Sequence, residues 1–289
     1  MRIDELFGSG RQTLSFEFFP PKNEEAEAQL FGAIDDLHPL QPSFISITRT
    51  GGGAHPTIDL TAKIQNELSF RAMSHLTCAG YTQEQIGEIL DRAWSEGIRN
   101  ILALRGDAAP GQQTFSVTEG GFANATDLVR FIRARHDFCI GVAGYPEGHP
   151  QSLNLTRDAE YLKMKVDLGA SFVISQLFFD NSDFYRWRDH LHTMGCDVPL
   201  VAGLMPILNV AQTKRFVTMC GAKIPHPLLL QLESLESDPQ SVHAAGVEYA
   251  IRQSEDLLAN GVDGLHFYTL NRSKATVLIG QSLNMKHPV

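Results

Sequence analysis

The sequence predicts a single (β/α)8 barrel with an extra helical segment before its last strand. Three observations carry this reading. Eight short apolar runs rich in β-formers recur along the chain, most are followed by a stretch with helical periodicity, and the total of 289 residues suits such a barrel. An open doubly wound sheet is the competing arrangement, but eight units favour closure. No internal repeat, low-complexity tract or Pro/Ser-rich linker breaks the pattern, so residues 1–289 read as one domain.

The strand candidates are residues 13–19, 44–48, 72–77, 100–104, 138–143, 172–179, 199–205 and 264–270. After the first, Phe31, Ile34 and Leu37 keep the spacing of an inward helix face. After the third, Thr82 and Gln85 make a capping-box start, and Ile86, Ile89, Leu90, Ala93 and Trp94 continue as an apolar stripe. Residues 206–262 are more than one helix needs, which predicts an additional helix or two in the seventh unit. There Asp238 and Pro239 form an N-cap and first-turn pair, and Ala250, Ile251, Ser254, Leu257 and Leu258 form the stripe before the last strand.

Composition narrows the class. With 43% hydrophobic and 20% charged residues the chain is an ordinary globular protein, which excludes disorder, collagen and coiled coil. A chain this long buries roughly three quarters of the surface that its unfolded form exposes, so it needs no disulfide staple. The net charge of −9, without a long single-sign run, argues against nucleic acid and anionic membrane as partners. Cys78, Cys139, Cys196 and Cys220 include no C-x-x-C pair and read as reduced thiols. No apolar stretch approaches the roughly 20 residues that span a bilayer, and the first residues lack a signal core, so a soluble, cytoplasmic protein is expected.

In such barrels catalytic residues stand at the carboxyl ends of the strands. Those ends carry Glu17, Thr48 with Arg49, His75, Arg105 with Asp107, Tyr145 with His149, Gln176, Met205, and Tyr268 with Asn271 and Arg272. This is more polar than a structural rim requires and favours an enzyme. Glu17 is the most telling, because it interrupts an apolar strand and shares its face with Ser15 and Phe19. Burial disfavours the charged form of a carboxyl, which suits general-acid work; a salt bridge inside the barrel to a lysine or arginine is the alternative.

Other features leave two readings open. Asp107, which closes an Arg-Gly-Asp tripeptide, is either a site residue or a cap for the next helix. Gly51, Gly52 and Gly53 would let the backbone approach a phosphate, but they lack the lysine of a P-loop, and a flexible loop is the plainer reading. Asp158, Tyr161 and Lys165 share one helix face and either hold the polar parts of a cofactor or form a solvated face with an ion pair. The eleven histidines do not cluster as metal ligands, His190 and His192 fit a helix surface, and no metal is expected. No lysine stands at the upper end of a middle strand, which argues against a Schiff-base aldolase.

Six motifs in order, Phe16-Glu-Phe-Phe-Pro-Pro-Lys22, His75-Leu-Thr-Cys78, Leu104-Arg-Gly-Asp107, Tyr145-Pro-Glu-Gly-His-Pro150, Gln176-Leu-Phe-Phe-Asp180 and His266-Phe-Tyr-Thr-Leu-Asn-Arg272, resemble the methylenetetrahydrofolate reductase family from end to end. The chain looks like the bacterial form, without the regulatory extension of the eukaryotic enzymes. The resemblance implies an FAD-dependent barrel that takes hydride from NADH or NADPH and passes it, in ping-pong fashion, to 5,10-methylenetetrahydrofolate, giving 5-methyltetrahydrofolate. It also implies a homo-oligomer.

By the same resemblance Glu17 is the general acid that protonates the folate N10, and Asp107 lies beside flavin and pterin. His75, Arg105, Gly106, Asp107, Ala125, Tyr145, His149, Asp158 and Lys165 carry over as cofactor contacts, with Tyr161 on the same helix face. Thr48 matches a position near the nicotinamide. Gln176, Gln212 and Arg272 carry over as substrate contacts, and Phe216 as the aromatic that stacks on nicotinamide and folate in turn. The chain departs from the family at Arg49, where a tyrosine is usual, at Asn124, where a tyrosine is common, and at Met164, often a lysine or arginine. Arg49 is expected to replace its lost tyrosine by pairing with the FAD pyrophosphate; the alternative is an outward-pointing, solubilising side chain. A proline dehydrogenase relative and a non-catalytic folate or flavin carrier are the competing functions, and Glu17 with Gln176 disfavours both.

Overall fold

Eight parallel strands close a barrel in chain order: β1 (Thr13–Phe18), β2 (Phe44–Ile47), β3 (Ala72–Thr77), β4 (Asn100–Leu104), β5 (Cys139–Gly144), β6 (Phe172–Ser175), β7 (Leu200–Leu204) and β8 (Gly264–Tyr268), which pairs back onto β1. The structure, a computed structural model, describes residues 1–8, 10–49, 54–108, 115–283 and 285. Gly51, Gly52 and Gly53 lie outside the described residues.

The helices are α1 (Glu24–Leu37), α2 (His55–Glu67), α3 (Gln83–Ser95), α4 (Ala125–Arg135), α5 (Leu155–Asp167), α6 (Asn181–Thr193), α7 (Val210–Cys220), α8 (His226–Ser234), α9 (Pro239–Ala259) and α10 (Lys274–Ser282). The seventh unit therefore carries α7, α8 and α9 before the last strand. The chain starts its helices with short polar side chains: Asn23, Thr82, Asn124, Asn154, Asp180, Asn209 and Asp238 each accept a hydrogen bond from a first-turn amide. At α3 the capping box is complete, with Gln85 reaching back to the Thr82 amide. Among the described residues no helix is long and apolar enough to cross a membrane.

The core has three parts. The largest lies between strands and helices and includes Phe16, Phe18, Ile45, Ile47, Leu265 and Phe267, the outward faces of their strands. The second fills the lower barrel with Phe44, Met73, Leu102, Cys139, Phe172 and Val201. The amino-terminal segment plugs this end: Leu6 and Phe7 pack on the cluster, and Asn100 accepts from the Ile3 amide at 2.8 Å while donating to Met1 and Ala72 carbonyls. With its lower half filled by apolar side chains, the barrel keeps its inward polar groups for the upper half, where the strands end.

The third part is a satellite core under the added helices, built from Leu177, Phe179, Met205, Ile207, Val210, Leu228, Leu232 and Val242. It explains why the sixth apolar run, 172–179, outlasts its strand. The ladder ends at Ser175, and Leu177 and Phe179 turn into this cluster instead.

Candidate active site

Glu17 is buried at the upper end of β1, in register with Ser46 of β2 and Tyr268 of β8. Two imidazoles from other strands reach its Oε2, His266 Nε2 at 3.3 Å and His75 Nε2 at 3.5 Å. Each is anchored by a serine: His266 Nδ1 is 2.8 Å from Ser15 Oγ, and His75 Nε2 is 2.7 Å from Ser46 Oγ. The salt-bridge alternative called for lysine or arginine, but among the described residues the ion-pair partners of Glu17 are these two histidines. Burial drives the His75 pKa down to about 4, against the attraction of Glu17, so this imidazole is neutral near pH 7. A carboxyl held between two imidazoles is oriented to give up a proton and retake it.

Tyr268 roofs this group. Its hydroxyl donates to the Ser175 carbonyl at 2.8 Å, and burial together with Glu17 raises its pKa well above the usual phenol value. The ring passes over Gly203, where a Cβ would lie 2.1 Å from the Ser175 oxygen and 2.7 Å from the tyrosine hydroxyl, so β7 needs a glycine there.

A second group follows β4 and β5. Arg105 stacks over Phe115 with 4.9 Å to the ring centre and donates to Gln151 Oε1 at 2.6 Å. Gly106 turns the chain at φ 87°, and a Cβ there would meet that of Ala79 at 2.8 Å. Asp107 is exposed, and its charge helps raise the pKa values of Tyr145 and Cys220, which puts all three in one electrostatic neighbourhood. The cap reading of Asp107 fails, because Asn124 caps α4 by accepting from the Asp127 amide at 3.0 Å. Ala125, the first residue of that helix, is half-buried, and the Cys78 thiol donates to the Asn124 carbonyl at 3.3 Å, tying the helix start to the end of β3.

Tyr145 and His149 meet edge to face at 4.7 Å. Burial lowers the His149 pKa, helped by Arg105 and Lys165. Lys165 reaches under β5 to donate to the Ala143 carbonyl at 2.7 Å, and burial lowers its pKa to about 8 although Asp158 opposes the shift. The helix face splits: Asp158 and Lys165 couple electrostatically, whereas Tyr161 is exposed beneath the Arg157 guanidinium.

Thr48 and Arg49 follow β2, whose ladder ends at Ile47. Thr48 Oγ1 and Arg49 Nε are buried without a hydrogen-bond partner among the described residues, and the Arg49 guanidinium sits over Tyr81, 4.9 Å from the ring centre, so it does not simply point outward. Orphaned donors and the amine of Lys165 are what an anionic cofactor would satisfy.

The proposed substrate contacts are spread over the rim. Gln176 is half-buried after β6, its Oε1 accepting from the Leu177 amide at 2.9 Å. Gln212 is exposed on α7, and Phe216, one turn on, is half-buried against the satellite core. Arg272 is exposed and lines a cavity of about 620 Å³ with Asp36, His243 and Lys274, apart from the acid. Sequence reading gave no role to His266, Ser46 or Tyr268. The inward alternation of Gly264, His266 and Tyr268 was the available signal for two of them.

A parallel barrel that gathers ionisable side chains at the carboxyl ends of its strands has the arrangement of a barrel enzyme. Within that class the chain belongs to the methylenetetrahydrofolate reductase family, whose model matches residues 2–284. It is 38% identical to methylenetetrahydrofolate reductase (NADH) 1 of Arabidopsis thaliana over 98% of this chain, and spans about half, 50%, of that relative's length. It is 36% identical to the 5,10-methylenetetrahydrofolate reductase of Pectobacterium carotovorum, covering 97% of this chain and 93% of that protein. Among solved structures a Clostridium thermocellum protein that binds two copies of 5-methyl-5,6,7,8-tetrahydrofolic acid shares the fold, with a TM-score of 0.63, 14% identity and 94% of each chain covered.

Proposed function

We propose that the protein reduces 5,10-methylenetetrahydrofolate to 5-methyltetrahydrofolate with NADH or NADPH as hydride donor and FAD as cofactor. The observation that carries this reading is the carboxyl of Glu17 held between His266 and His75 inside the upper barrel. The bound flavin would supply a group that accepts hydride from the nicotinamide and yields it to the folate in ping-pong alternation.

The chain's own residues do the rest. Glu17 donates its proton to N10 of the folate, which opens the five-membered ring and leaves an iminium carbon able to accept hydride. His266 and His75 hold the carboxyl in place. Arg105, His149, Asp158 and Lys165 supply polar contacts to the cofactor, with Asp107 placed to bond the pterin. Gly106 lets the backbone come close where a side chain would intrude. Phe216 offers one flat surface to two flat substrates in turn, and Gln176, Gln212 and Arg272 hold the folate's polar parts.

Glu17→Gln tests the reading. Hydride transfer from the nicotinamide to the flavin needs no proton for folate, so bleaching of the flavin by NADH persists while methyltetrahydrofolate formation stops. Product formation at near the parent rate would remove Glu17 from the mechanism, and a colourless protein that ignores added FAD would overturn the flavin assignment.

A further inference from the structure

Glu147 lies between Tyr145 and His149 in the loop after β5, and its side chain is only 6% exposed. Its Oε2 accepts from the Lys223 amide at 3.2 Å, and Lys223 Nζ stands 3.3 Å from its Oε1. The same ammonium is 3.5 Å from Oδ2 of Asp183, a second buried carboxylate, near the start of α6. Burial above all, with the Asp183 charge, raises the Glu147 pKa, and Lys223 opposes the shift only in part. Asp183 is also bonded by Arg186, so Lys223 is the cation that faces Glu147 and shares Asp183 with the arginine.

The location of Lys223 gives the pair its meaning. It follows α7 at once, and Gly221, the left-handed cap of that helix, presses on the same loop: a Cβ there would lie 2.8 Å from Pro150 Cγ. Only Val210 and Thr213, both in its first turns, are fully buried; Phe216, Val217 and Cys220 lie half-buried on the satellite core, and Lys214 pairs with Glu233 of α8. With no fully buried side chain in its carboxyl-terminal half, α7 there is set partly by what its far end touches.

We infer that Glu147 and Lys223 form a latch that positions the carboxyl-terminal half of α7, and with it Phe216, against the loop bearing Tyr145 and His149. The functional consequence rests on the reading above, in which Phe216 stacks on both substrates; the latch itself does not. Neither residue touches substrate. They are positioning residues that set how well α7 closes on whatever lies beneath it.

The test uses the full chain loaded with FAD, with Lys223→Met, Glu147→Gln and Lys223→Arg. The first two variants raise KM for the folate and for the nicotinamide about threefold or more, with kcat and FAD affinity unchanged, and Lys223→Arg restores the parent values. In a Phe216→Ala background Lys223→Met adds nothing further, because the helix then carries no ring to position. Amide hydrogen exchange across residues 214–220 quickens in Lys223→Met. Unchanged exchange overturns the latch, as does additivity with Phe216→Ala or a loss of thermal stability with KM unmoved. If the parent protein has no turnover at all, the function reading falls and the exchange experiment alone decides the latch.

Discussion

His266 Nε2 lies 3.3 Å from Glu17 Oε2, while its other ring nitrogen lies 2.8 Å from Ser15 Oγ. The serine hydroxyl also donates to the Leu265 carbonyl at 3.2 Å, so its lone pair is what it offers the imidazole. That pattern assigns the ring proton to Nδ1 and leaves Nε2 as an acceptor, which is the tautomer a protonated Glu17 requires. Removing the acceptor strands the acid proton. His266→Leu is expected to slow folate reduction about tenfold or more, since an unsatisfied buried polar group costs about 1–3 kcal/mol, and to spare flavin reduction by NADH. Rapid mixing of the two half-reactions checks this; equal slowing of both would assign His266 to packing alone.

How much of this was legible in the sequence follows from what each feature depends on. The strands were readable because an inner and an outer face must both be apolar through most of a closed barrel, and so was Glu17, because it breaks that rule. Its partners were not. His266 lies 249 positions away and meets the acid only through the pairing of β8 with β1, a register that no local pattern encodes. The cap at Asn124 is within reach of the sequence, since an asparagine before a helical stripe is a start signal. The end of β6 was overrun because Leu177 and Phe179 are apolar for a different core.

Gly203→Ala tests the crossing of Tyr268 over β7. The added methyl would meet the Ser175 carbonyl and the tyrosine hydroxyl at 2.1 and 2.7 Å, and neither the backbone oxygen nor the hydrogen-bonded ring yields cheaply. A loss of about 1–3 kcal/mol is expected, seen as a Tm lower by several degrees. Gly32→Ala on α1 is the control of opposite sign: nothing lies within 4 Å of its Cβ, and replacing a mid-helix glycine gains about 0.5–1 kcal/mol. An unchanged Tm in Gly203→Ala would mean that Tyr268 can leave its place without cost.

Arg49→Ala tests the proposed pairing of Arg49 with the FAD pyrophosphate. Stacked on Tyr81 and with Nε unsatisfied, the guanidinium has donors left for a phosphate. Charge-assisted bonds are about twice as strong as neutral ones, so FAD affinity is expected to fall about tenfold at low salt, with the difference narrowing as ionic strength rises. Flavin fluorescence during titration measures it. Equal affinities for both proteins at low salt would leave Arg49 as a lid on Tyr81.

Lys165 makes two pH dependences of opposite slope. Burial lowers its pKa to about 8 from the ordinary 10.5, so between those values the unfolded chain holds a proton that the folded chain has released. The contribution of Lys165 to the stability of the cofactor-free protein therefore rises with pH across this window, because the unfolded state binds more protons there. Cofactor binding runs the other way. An anionic phosphate beside the amine favours its charged form, so binding takes up a proton above pH 8 and FAD affinity falls as the pH climbs through that value. Lys165→Met removes the titrating group, which flattens the affinity profile between pH 7 and 9.5 and lowers the plateau to the level that the parent protein reaches only at alkaline pH. Titrations with FAD at closely spaced pH values, run beside thermal melts of the cofactor-free protein, read both slopes at once. A parent profile as flat as that of the variant would separate Lys165 from the cofactor and leave its hydrogen bond to the Ala143 carbonyl as its whole role.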